Sequence, residues 1–315
     1  MQSMMQNTKT SFRLALACAG VLASSLLSAC GSQSLKVTAA YKDVTYTTTA
    51  GKQKLDLYLP NGNGPFPLII NIHGGGFKFG DKSMMPTTLF DVLLNDGYAI
   101  ASIDYRLSGD AIFPAAVLDA KAAVRYLRAN AAKYKINPNK IVAYGESAGG
   151  HIASMLGTTG DVAEFDDASL GNAGVSSRVQ AVINHYGPTD FAKMDEQAKA
   201  QGCGSSDQTH NVANSFESAF LGAAVQTVPE LVKKANPITY ISKDDPPFLV
   251  QKGDKDCTVP IESTKMLADA LKAANQDVRF DLLAGAGHGD GSGSPIFQST
   301  ANIQVVQTFL KEKLK

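Results

Sequence analysis

Ile141-Val142-Ala143-Tyr144-Gly145-Glu146-Ser147-Ala148-Gly149-Gly150-His151-Ile152 is the stretch that decides the architecture. It begins as a short β-type run, passes through a serine flanked by glycines, and continues into a helix-like segment from His151 to Leu156. A Gly-x-Ser-x-Gly match alone is weak, because glycine and serine are common. Between a strand and a helix it reads as a sharp turn, which needs small neighbours and lifts the Ser147 hydroxyl clear of a sheet edge. The helix N-terminus behind it favours negative charge nearby.

Outward from this turn, β-type runs alternate with helix-like stretches, the pattern of a mostly parallel sheet with helices on both faces. About eight strands are expected, at 44–49, 55–59, 68–73, 99–104, 141–144, 181–186, 248–252 and 279–283. The clearest helices span 114–132, ended by an Asn137-Pro138 turn, and 262–274. The apolar runs at 68–72 and 248–250 suit central strands buried on both faces. Across 188–240 the rhythm lapses into a polar stretch with Gly202, Gly204, Ser205 and Ser206, followed by amphipathic pieces. That is longer than a connection needs, so a cap-like insertion over the C-terminal edge of the sheet is expected.

A serine hydroxyl is a poor nucleophile at neutral pH and needs a base, which in turn needs an orienting carboxylate. Both follow downstream, each after a predicted strand: Gly253-Asp254-Lys255-Asp256-Cys257-Thr258-Val259-Pro260, then Gly285-Ala286-Gly287-His288-Gly289. The order Ser147, acid, His288 is that of α/β-hydrolases, with Asp254 and Asp256 both candidates for the acid. Upstream, His73-Gly74-Gly75-Gly76-Phe77 also follows a strand. Glycines there let backbone amides reach a substrate oxygen, so the N–H groups of Gly75, Gly76 and Ala148 are the expected oxyanion donors. His73 reads as a brace for that loop, while His151 and His185 read as locally bonded core residues.

These segments, with Asp104-Tyr105-Arg106-Leu107, resemble bacterial α/β-hydrolase esterases of the hormone-sensitive-lipase and feruloyl-esterase-like type. The likeness extends over most of the chain after residue 29. It implies an α/β-hydrolase fold, a Ser147, Asp256, His288 triad, and no cofactor. It also favours Asp256 over Asp254, because the acid in such enzymes lies two residues after the Gly-Asp pair and before Val-Pro. Arg106 is then a scaffold residue. The insertion has no feature that identifies a substrate, and acetyl, feruloyl, short-chain and aryl esters all remain open. A serine peptidase is the alternative that uses the same triad, and a non-catalytic binding protein is a remoter one.

Lys plus Arg and Asp plus Glu number 29 each in 315 residues, so no global field draws the chain to nucleic acid. A neutral substrate fits this balance. Residues 1–29 carry Lys9 and Arg13 before an uncharged apolar run from Leu14 to Leu27, which reads as a signal for export. Leu27-Ser28-Ala29-Cys30-Gly31 resembles a bacterial lipobox, in which Cys30 would be lipidated, although a plain signal peptide with a chance cysteine reads similarly. Gly31 after the cysteine fits outer-membrane sorting. Residues 30–40 would be a polar tether between that anchor and a catalytic domain at 41–315. With Cys18 lost to the signal, Cys203 and Cys257 remain, as a disulfide in an oxidising compartment or as two buried thiols. Cys203 with His210 lacks the further ligands of a metal site. Oligomeric state leaves no trace in the sequence.

Overall fold

A computed structural model describes residues 35–48, 51–289 and 295–315. The expected signal peptide, the lipidation site Cys30 and the first part of the expected tether lie outside the described residues. Among the described residues no helix is long and apolar enough to cross a membrane.

Eight strands form one sheet: β1 (Tyr41–Thr45), β2 (Lys54–Tyr58), β3 (Phe66–Ile72), β4 (Ala99–Ile103), β5 (Ile136–Glu146), β6 (Ala181–His185), β7 (Phe248–Gly253) and β8 (Val278–Leu283). Their spatial order is β1-β2-β4-β3-β5-β6-β7-β8. The β1–β2 and β2–β4 pairs are antiparallel, and every other pair is parallel. This is the α/β-hydrolase fold.

The central strands are largely apolar because both faces of the sheet are covered. Leu68, Ile70 and Ile72 of β3 point into one core with Ala101, Ala143, Val182 and Val250. Covering that face are α2 (Ala115–Ala129), α3 (Ala148–Thr158) and α7 (Ile261–Ala273). On the other face Ile69, Ile100, Val142, Ile183 and Leu249 meet α1 (Thr87–Asn95) and α8 (Thr300–Lys313). The one-residue alternation between the two cores is the period of a pleated strand.

The structure departs from the sequence expectations at three places, the first being β1, which runs Tyr41–Thr45 rather than 44–49. Asn137-Pro138 does not end a helix; α2 stops at Ala129, and the pair lies within β5. There the Asn139 N–H donates to Asn137 Oδ1 at 2.9 Å, and the register against β3 shifts between Phe66 and Leu68, so the strand absorbs the turn chemistry as an irregularity. Residues 35–40 are also no free tether. Leu35 is buried in the core of α1 and α8, and the Lys36 N–H donates to Asp91 Oδ1 at 3.0 Å.

Segment 188–240, between β6 and β7, folds as α4 (Met194–Gln201), α5 (Phe216–Leu221), α6 (Pro229–Ala235) and short single turns. Ser215 caps α5 by accepting from the Ser218 N–H at 2.9 Å, and Gly202 closes α4 in the left-handed region at φ 85°.

Candidate active site

Ser147 stands between β5 and α3 with φ 53° and ψ −122°, a conformation that a side-chain-bearing residue holds only under constraint. The constraint is packing. A Cβ on Gly145 would lie 2.1 Å from the Gly149 carbonyl, and one on Gly149 would lie 1.9 Å from that of Ile72. The glycines therefore let the strand, the turn and the helix interpenetrate. The Ser147 N–H donates to the His185 carbonyl at 2.9 Å, tying the turn to the neighbouring strand.

Ser147 Oγ is 2.9 Å from His288 Nε2, and His288 Nδ1 is 2.9 Å from Asp256 Oδ2. The serine, histidine and acid thus form one hydrogen-bonded chain built from three separate loops. Asp256 is wholly buried, whereas Asp254 uses Oδ1 to accept the Gly285 N–H at 2.7 Å and so fastens the histidine loop. Burial alone would raise the Asp256 pKa, but the His288 hydrogen bond and the charges of His288 and Lys252 bring it below the ordinary carboxylate value.

The three-glycine loop is held from below. His73 Nδ1 donates to the Gly74 carbonyl at 2.8 Å, and its ring stacks on Tyr105 at 4.4 Å. The Tyr105 hydroxyl donates to the His73 carbonyl at 2.9 Å. Burial pushes the His73 imidazole down to about 4, so it is a neutral brace at physiological pH. Arg106 bonds Asp119 through Nε and Nη2, which makes it part of the scaffold under Tyr105. His151 donates from Nδ1 to the Pro188 carbonyl at 2.9 Å among Phe77, Phe191 and Phe220. Tyr144 bonds both His185 and Glu146.

A cavity of about 270 Å³ opens over this chain. Gly75, Gly76 and Ala148 line it together with Ser147 and His288, and its walls include Phe77, Phe79, Met84, Pro188, Phe216 and Val259. Segment 188–240 contributes Pro188, His210, Phe216 and Glu217 to these walls. Phe79 and Phe216 meet edge to face at the mouth, ring centroids 6.0 Å apart and both exposed. Cys203 and Cys257 form a disulfide with Cα atoms 5.7 Å apart, linking the residues after α4 to the loop of Asp256. Gln201 reinforces that link, donating to the Asp256 carbonyl at 2.8 Å and accepting from the Ile261 N–H at 2.7 Å.

Sequence reasoning missed Lys252 and the pair His210 with Glu217. Lys252 is fully buried in β7 with Nζ against Asp256 Oδ2 and the Val259 carbonyl. The apolar run Phe248–Val250 before it made it look like the end of an ordinary strand, and only Asp256 four residues on hinted at a partner. His210 Nδ1 and Glu217 Oε1 are 2.9 Å apart, and both side chains are buried beside the cavity. No periodic pattern marks a pair made between an irregular turn and the first turn of the short helix α5. Among the described residues no group of three or more His, Cys, Asp or Glu could hold a metal ion.

The family model BD-FAE matches residues 55–271. The chain is 30% identical over 226 residues to Esterase LipC of Mycobacterium tuberculosis (strain ATCC 25618 / H37Rv), covering 71% of this chain and 53% of LipC. It spans about half the length of the curated relatives it matches first. Among solved structures, a truncated carbohydrate esterase from gut microbiota superposes with a TM-score of 0.79 at 29% identity, covering 89% of this chain and 99% of that one. A bifunctional GH43-CE protein of Bacteroides eggerthii gives 0.77 at 33% identity, over 87% of this chain and 35% of its own.

Proposed function

The chain belongs to the BD-FAE family, and from that premise we propose that it is a serine carboxylesterase acting through an acyl-enzyme. The observation that carries this reading is the unbroken hydrogen-bonded chain from Ser147 through His288 to Asp256 at the floor of a largely apolar cavity. In the proposed reaction Ser147 Oγ attacks the ester carbonyl as His288 Nε2 takes its proton. Asp256 holds the imidazole and stabilises its charged form. The developing oxyanion is received by the N–H groups of Gly75, Gly76 and Ala148. His288 returns the proton to the departing alcohol, then draws one from water as that water attacks the acyl carbonyl, and hands it to Ser147 Oγ as the bond from Oγ to the acyl carbon breaks and the acid leaves.

The substrate class proposed is short-chain or aryl esters, acetyl and feruloyl esters of carbohydrate among them. The size of the cavity, the aromatic pair at its mouth and the likeness to a carbohydrate esterase support it. Turnover of p-nitrophenyl acetate and butyrate by the purified protein, beside a peptide anilide, tests this reading. Ester hydrolysis that vanishes in Ser147→Ala is expected, and equal rates from both proteins would overturn the assigned nucleophile. We also propose export with Cys30 as a lipid anchor, on the strength of the sequence around it. Cys30→Ser should move the protein out of the membrane fraction, and unchanged fractionation would refute the anchor.

A further inference from the structure

We propose that Lys252 is a positioning residue of this centre, sharing the Asp256 carboxylate with His288 and so setting the pH at which His288 becomes a base. The proposal rests on the ester-hydrolase reading above and assigns a role to a residue on which that reading makes no demand.

Lysine is almost never fully buried unless it is paired, and Lys252 is fully buried in β7. Its ammonium meets Asp256 Oδ2, the same oxygen that His288 Nδ1 engages at 2.9 Å. A second donation goes to the Val259 carbonyl, and the Val259 N–H returns to Asp256 Oδ1 at 3.0 Å. Lysine, acid and loop backbone thus close a ring that satisfies both carboxylate oxygens and fixes the carboxyl plane toward the imidazole.

The geometry has an electrostatic consequence. An unshared buried carboxylate beside His288 would raise the proton affinity of the imidazole, whereas a cation on the same oxygen lowers it. Burial drives the Lys252 ammonium down to about 8 against the pull of Asp256, and Asp256 lies below its ordinary value. Among the described residues, the other titratable groups beside His288 are the ring of Tyr186, with centroids 4.8 Å apart, and Glu146, His210 and Glu217, which line the same cavity. None of these shares the His288 bond to Asp256 Oδ2, so the direct offset of the acid's charge falls to Lys252. A purely structural role would be met by any donor of suitable length. A charge role would not.

The test compares pH profiles of kcat/KM for p-nitrophenyl acetate in the wild type, Lys252→Gln, Lys252→Met and Lys252→Arg, each checked for folding by circular dichroism and melting temperature. Removal of the charge in Gln and Met should move the acidic limb upward by about one pH unit or more, the scale expected of a unit charge a few ångströms away. The plateau kcat should fall more than KM rises, and Arg should keep the limb near its wild-type position. In parallel, NMR titration of the His288 Nδ1 proton in Ser147→Ala, with and without Lys252→Gln, reads the same shift without turnover. Loss of ester hydrolysis in the wild type would thus refute the enzymatic reading while leaving the Lys252 effect measurable. An acidic limb and an imidazole titration that stay put in folded Lys252→Gln would overturn the proposal.

Discussion

At the scale of single residues, the glycines around Ser147 do different work, and the atoms they face say which can be replaced. Gly75 has φ 100°, and a Cβ there would lie 2.3 Å from the backbone carbonyl of Phe79, which also closes the loop by donating its N–H to Gly75. Nothing in that contact can swing away. Gly76 has φ 60°, and its Cβ would meet the ring of Phe216 at 2.6 Å, a side chain already 46% exposed. Gly75→Ala should therefore displace the proposed oxyanion donors and lower kcat by about 100-fold or more, the scale of losing one such donor. Gly76→Ala should lose less, and Phe216→Ala beside it should restore part of the loss. Steady-state kinetics on a p-nitrophenyl ester with all three proteins check this. Equal and unrescued losses would mean that backbone strain, not the ring, limits Gly76.

At the scale of elements, the acid loop between β7 and α7 is stapled twice from the end of α4, by Cys203–Cys257 and by Gln201. The disulfide closes a span of 54 residues, and constraining a loop of that size in the unfolded chain contributes about 4 kcal/mol in the entropic account. Cys203→Ala with Cys257→Ala should accordingly lower the melting temperature by several degrees. Because Gln201 still holds the Asp256 carbonyl, kcat should drop less than tenfold; adding Gln201→Ala should deepen that drop. A double cysteine variant that melts with the wild type would show that the staple adds nothing to the packing of α4 on α7. The strands and the turn at Ser147 were legible because short β-type runs and glycine patterns are local, and the order of serine, acid and histidine follows chain order. The disulfide was legible only as two leftover cysteines. The helices α1 and α8 were not singled out, and the walls supplied by His210, Phe216 and Glu217 were illegible. They depend on how an irregular segment folds back over the sheet, which no periodicity encodes.

At the scale of the whole molecule, two cores on opposite faces of one sheet leave buried positions close to the site, and two of these hold neutral histidines. His73 and His151 are 2% and 0% exposed, and burial lowers both pKa values to about 4 from an ordinary 6.5. Well above pH 6.5 neither the folded nor the unfolded chain protonates these rings, and their titration has no effect on stability. Below it the unfolded chain takes up a proton at each ring while the folded protein does not, so stability falls as pH drops from 6.5 toward 4. Each ring can cost on the order of 3 kcal/mol by the foot of that window, at about 1.4 kcal/mol per pH unit. His210 acts in the opposite sense. Burial would lower its pKa, but the Glu217 hydrogen bond and charge raise it above 6.5, so its contribution is complete once pH has fallen to 6.5 and does not cancel the later loss. Asp104 and Asp245, raised by burial, add stability only toward the acid end of the window. Urea unfolding at intervals from pH 7 to pH 4.5, below the range in which the buried Lys121 and Lys252 titrate, should therefore show a free energy that declines below 6.5 with a slope approaching two protons. In His151→Leu, whose ring site is already lined by Phe77, Phe191 and Phe220, the slope should approach one proton. An unchanged slope in that variant would place the acid sensitivity elsewhere in the fold.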